Sequence, residues 1–140
     1  MKSIRSAQSF EEATAYHEKA PDPRFEDELY HQMEAQGMTP KDLIARCGIE
    51  RSYFYHVLNG KRRPGRNVVI RLGFCLQSTL QDMNQLLRLA GHSTLYPKIR
   101  RDAAVIFALS HHYTMEMANE LLLEHREEPL YDPGKRESHA

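Results

Sequence analysis

The stretch MTPKDLIARCGIERSYFYHVLNGKRRPGR, residues 38–66, decides how this chain is read. Thr39 stands where a helix N-cap belongs, Pro40 takes the first helical position and Asp42 follows the cap by three residues. Leu43, Ile44 and Cys47 give that helix one apolar side, and Gly48 permits a tight turn because a left-handed backbone costs glycine little. A second short helix, Arg51–Leu58, follows the turn. Ile49, Phe54, Val57 and Leu58 fall on one face by three-and-four spacing, and Arg51, Ser52, Tyr55 and His56 fall on the other. A buried face accounts for Phe54. It gives no reason for an arginine, a phenol and an imidazole to gather on the exposed side.

Asn59-Gly60 then lead into the basic loop Lys61, Arg62 and Arg63. No Asp or Glu occurs from Arg51 to Gln81, although the whole chain balances 19 basic against 19 acidic residues. Acids outnumber bases in 11–34 and again in 116–128. A neutral chain that collects its positive charge beside one short helix points to a polyanion-binding surface there, with the acidic flanks facing solvent or protein.

Outward from this centre the pattern stays helical. Residues 24–36 carry Phe25, Leu29 and Met33 at four-residue spacing, and Gly37 stops them. Beyond the basic loop, 67–76 carries Val68, Val69, Leu72, Cys75 and Leu76. Thr79 caps 80–90, with Met83, Leu86, Leu87 and Ala90 inward, and Gly91 closes it. The linker HSTLYPKI precedes 101–111, in which Ala103, Val105, Ile106, Phe107 and Leu109 leave most sides apolar. Thr114 starts 115–125, with Met117, Ala118, Leu121 and Leu122 inward. No strand pattern competes, so the expected class is all-α. The expected organisation is an N-terminal arm, 1–23, with a short helical pattern over 9–19; a five-helix unit, 24–91; a C-terminal helical hairpin, 92–126; and a disordered tail, 127–140. No apolar run reaches membrane-spanning length and the N-terminus lacks a signal-peptide pattern, which predicts a cytoplasmic protein. Cys47 and Cys75, each within an apolar helical pattern, read as buried thiols rather than a disulfide.

Around 25–91 the chain resembles the Cro/phage-repressor, or xenobiotic-response-element (XRE), type of helix-turn-helix protein. The family pattern is a Thr-Gln-containing helix start, an alanine in the second helix, a Gly-apolar turn, a recognition helix, then Asn-Gly-Lys and a proline. Thr39, Ala45, Gly48-Ile49, Arg51–Leu58, Asn59-Gly60-Lys61 and Pro64 match it. Pro40 stands where the family often has a glutamine, and Glu50 where a Ser or Thr usually caps the recognition helix. The resemblance implies double-stranded DNA as partner and a five-helix repressor-like domain acting at the nucleoid. Arg51, Ser52, Tyr55 and His56 would read bases; Thr39, Tyr53, Asn59, Lys61, Arg62, Arg63 and Arg66 would lie along phosphates. Arginine is suited to the first role because it bonds guanine O6 and N7 bidentately.

Other function classes fit less well. His111 and His112 are adjacent, so their side chains diverge, and no ligand-spaced Cys or acid accompanies them: no metal and no cofactor is expected. Ser52 and His56 lie one turn apart, but the acid-free stretch offers no orienting carboxylate beyond Glu50, so no catalytic residue is assigned and no enzyme is expected. The hairpin 103–122 has more apolar residues than one inward stripe requires, which predicts a homodimer through it. The alternative is an antitoxin-like or adaptor module that holds a protein partner through the same hairpin.

Overall fold

A computed structural model describes residues 23–134, so the short helical pattern over 9–19 lies outside the described residues. Among those described there are seven helices and no strand: α1 (Phe25–Ala35), α2 (Pro40–Cys47), α3 (Arg51–Leu58), α4 (Arg66–Cys75), α5 (Leu80–Leu89), α6 (Arg100–Ser110) and α7 (Met115–Glu124). None of them is long and apolar enough to cross a membrane.

Local chemistry sets the ends of these helices. Thr39 accepts from Asp42 N at 3.1 Å while Asp42 returns a bond to Thr39 N at 2.9 Å, a closed capping box. Those bonds hold the Asp42 carboxyl below its ordinary range. Gly48 turns the chain at φ 68°. One apolar cluster then runs from Phe25 to Leu130 and takes in both Cys47 and Cys75, which are free thiols. Gln32, buried in α1, ties that helix to the start of α5 by bonding Ser78 Oγ and the Asp82 carbonyl.

The second half of the fold is built twice. The segment 66–96 (α4, α5 and the turn after them) recurs as 101–131 (α6, α7 and the turn after them), each residue thirty-five positions from its counterpart. Arg66/Arg101, Thr79/Thr114, Asn84/Asn119, Leu86/Leu121, Leu87/Leu122, Leu95/Leu130 and Tyr96/Tyr131 are identical pairs. The hydrogen bonds repeat as well. Thr79 and Thr114 cap α5 and α7 by accepting from Asp82 N and Met117 N, both at 3.1 Å. Ser78 N donates to the Gly73 carbonyl and Tyr113 N to that of Ala108, closing α4 and α6 alike. Asn84 Oδ1 takes Leu95 N at 2.8 Å, and Asn119 Oδ1 takes Leu130 N at 2.6 Å.

The two copies interlock. α4 packs on α5 and α7, and α6 packs on α7 and α5, which closes a four-helix ring with α4 and α6 on its diagonal. The interior pair at this level differs between the copies. A Cβ at Gly73 would collide with the Met83 side chain, whereas the counterparts, Ala108 and Ala118, are both small and both buried.

Among the described residues, 127–134 depart from the expected disordered tail, and the rest of it, 135–140, lies outside the described residues. Residues 127–134 fold back on the bundle, because Leu130 has a core position to fill and Asn119 has backbone to hold. Asn119, 2 % exposed, accepts from Leu130 N and Tyr131 N and donates to Tyr131 O at 3.0 Å. Removing its side chain leaves several buried backbone groups without a partner. Asn119→Ala should therefore cost about 2–3 kcal/mol, against about 1 kcal/mol for the half-buried Asn84→Ala. Thermal melts of the two variants check this; equal losses would contradict it.

Candidate nucleic-acid interface

α3 starts on Glu50, whose carboxylate accepts from Tyr53 N at 2.8 Å and so caps the helix. Its inner face buries Tyr53, Phe54, Val57 and Leu58. Its outer face leaves Arg51, Ser52 and His56 exposed and Tyr55 half-buried. The Arg51 guanidinium lies 5.3 Å above the Tyr55 ring, which meets Phe54 edge-on at 6.3 Å. Four side chains with donors or acceptors thus share one helix face, stiffened at its middle by Tyr55.

The basic loop is fastened to the end of that helix. Lys61 N and Arg62 N both donate to the His56 carbonyl, at 2.8 and 3.1 Å. Asn59, Lys61, Arg62 and Arg63 are all exposed. The Arg62 guanidinium covers the buried Tyr53 ring at 5.3 Å, so Tyr53 supports the loop from below and its ring is not on the surface. Arg63 reaches across to Gly91, where an added Cβ would stand 3.2 Å from its Nη1. Pro64 is buried, and its carbonyl sits 2.8 Å from His92 Nε2.

Besides Tyr53, whose ring is buried, two further residues expected along phosphates have other work. The Thr39 hydroxyl is engaged in the capping box of α2. Arg66 is engaged more completely. Its Nη1 and Nη2 bond the two Asp102 oxygens at 3.1 Å each, and Nε and Nη2 reach the Ser93 and Thr94 carbonyls at 3.2 Å. Asp102 is 2 % exposed, so this is a bidentate pair at the base of the bundle. Among the described residues, the loop therefore offers three cations held by no ion pair or side-chain hydrogen bond, Lys61, Arg62 and Arg63, with Arg62 resting on the Tyr53 ring.

Sequence reading also missed the acids that the fold carries into the acid-free stretch. A Glu26 oxygen stands against Gly60, Glu50 caps α3 and Asp102 holds Arg66. Only Glu50 was visible from its neighbourhood in the chain. The thirty-five-residue recurrence would have paired Arg66 with Arg101, and both with backbone carbonyls of the following turns.

No family model matches the chain, and neither a curated protein nor a solved structure does.

The roles of Arg66 and Lys61 separate in a melting experiment. Arg66→Ala strands a buried carboxylate and should cost about 3 kcal/mol or more. Lys61→Ala, on the exposed loop, should stay within about 0.5 kcal/mol of the parent. An Arg66→Ala protein that melts with the parent would return Arg66 to the surface.

Proposed function

We propose that this chain is a sequence-specific double-stranded DNA-binding protein of helix-turn-helix type, a transcriptional regulator acting at the nucleoid. α2 and α3 form the motif and α3 enters the major groove. The observation that carries the reading is the exposed face of α3 continuing into a loop of three exposed cations, whose backbone is bonded to the last turn of that helix. Arg51, Ser52 and His56 face outward to reach base edges, with Tyr55 beneath Arg51, and Asn59, Lys61, Arg62 and Arg63 follow the phosphates. The resemblance to Cro/phage-repressor proteins in the same residues supports the same register. Glu50 caps α3 close to the proposed phosphate path, where its charge opposes binding while its hydrogen bond keeps the helix start in place.

One α3 reads only a few base pairs, so the reading includes a homodimer that sets two such helices about 34 Å apart on a two-fold operator. The inner face of the hairpin is filled within the chain, which leaves its outer face for a second copy. Ile99 at the start of α6, Phe107 near its end and Met117 on α7 are 51 %, 43 % and 49 % exposed. An adaptor role would use the same outer face, but no feature of it singles out a foreign partner.

Two measurements test the proposal. Binding to a selected duplex should weaken with salt at a log–log slope of about −3 per protomer from Lys61, Arg62 and Arg63, and about twice that for a dimer. Arg51→Ala should keep the parent melting temperature while losing about 1–3 kcal/mol of preference for the selected site. A slope of zero, or unchanged preference in Arg51→Ala, removes this surface as the DNA face.

A further inference from the structure

We infer that the cavity at the far end of the duplicated bundle binds a small aromatic carboxylate. It is a partly open pocket of about 740 Å³, within the range of small-molecule sites. It lies where both α4 and α6 end, and α2 closes one side of it. Phe74, Tyr113 and Met115 supply apolar wall, and a thioether adapts to more than one ring shape.

Arg46 from α2, and Gln77 and His112 from the two equivalent turns, are among the polar side chains that border this wall. Among the described residues, none of these three side chains makes a hydrogen bond or an ion pair. That sets Arg46 apart from Arg66 and Arg101, whose guanidinium groups are bonded to the fold. Gln77 and His112 also hold left-handed backbone, φ 56° and 57°, at a position where glycine would relieve roughly 1 kcal/mol. Arg126 shares that backbone at the other end of the bundle, so strain alone does not mark the site. What marks it is that both copies keep a polar side chain at this corner and both corners face one cavity.

The chemistry selects an anion with a flat apolar body. Arg46 offers a fork that matches a carboxylate, and His112 can add a donor. Glu116, in the first turn of α7, also borders the cavity, and its charge directs the carboxylate of the ligand to the Arg46 side. Arg46 lies in the last turn of α2, two residues before Gly48. A ligand spanning Arg46 and His112 would tie α2 to the bundle, next to the turn into α3. Ligand binding itself does not rest on the DNA reading.

The test uses the full chain without DNA and follows backbone amide NMR shifts during titration with phenylacetate, with 2-phenylethylamine and benzyl alcohol as comparison probes. The expected result is saturable shifts at Gln77, His112, Tyr113 and Met115 with phenylacetate alone. Arg46→Gln, on an exposed position, should weaken the affinity about tenfold and leave the rest of the spectrum in place. His112→Gly should weaken binding while raising the melting temperature, which a purely structural histidine would not do. The inference is overturned if phenylacetate gives no saturable shift at those amides below about 10 mM. It is equally overturned if the amine binds as well, or if Arg46→Gln binds with parental affinity.

Discussion

Two arginines thirty-five positions apart hold the lower end of the fold, and the placement of everything above it follows from them. Each takes the carbonyls of the turn after its own second helix: Arg66 those of Ser93 and Thr94, Arg101 those of Glu128 and Pro129. Each also reaches into the other copy at the same position, Arg66 to Asp102 and Arg101 to Asn67. An exchange in which position one of each copy bonds position two of the other is what a two-fold axis along the bundle produces. The arrangement is that of an isologous dimer contained in one chain. It fixes the start of α4, and with it the end of the basic loop that α4 follows.

The differences between the copies show what each was left to do. The face of α4 that carries Val68, Val69 and Leu72 is buried, with α2 packed against that helix. The counterparts on α6, Ala103, Ala104 and Phe107, are half-buried or exposed. Ala103 and Ala104 have lost the bulk that α2 would have matched, which removes apolar area from water contact at two of the three sites. Phe107 keeps its bulk and shields part of it by stacking on His111 at 4.0 Å and meeting Tyr113 edge-on at 5.8 Å. The second copy is therefore neither a finished surface nor an open core.

Legibility from sequence followed the range of the interactions. Caps and turns act within four residues, so Thr39, Asp42, Gly48, Thr79 and Thr114 could be placed from spacing alone. Both cysteines were readable as buried because their helical periodicity was intact. Arg66 was not readable. Its carboxylate partner lies thirty-six residues away, outside any window in which charge patterning is judged. The folded tail was hidden for the same reason: Glu127-Glu128-Pro129 looks polar and broken, and only Asn119 gives Leu130 a place to go. The duplication escaped because the copies retain the positions that make hydrogen bonds and vary nearly everything that only fills volume. Identities in Thr, Asn and Arg are too sparse to show against a helical background until the bonds they make are seen to recur.

One residue departs from the duplication and joins the two halves of the chain. Arg71 is 2 % exposed, while its counterpart in the second copy is Ile106. A buried cation is expensive unless it is paired and bonded, so its partners define its role. Its Nη2 donates to the Cys47 carbonyl at 3.1 Å, a group in the last turn of α2 that has no partner within the helix. Its guanidinium also lies 5.1 Å over the ring of Tyr131, at the end of the folded tail. The tail is held in turn by Asn119 and Arg101. A continuous path of contacts thus leads from the second copy, through Tyr131 and Arg71, to the last residue before Gly48. The angle between α2 and α3 is set at that glycine, and Arg71 anchors the carbonyl beside it. The tail that buries Leu130 and engages Asn119 thus also places the Tyr131 ring against the arginine that bonds this carbonyl.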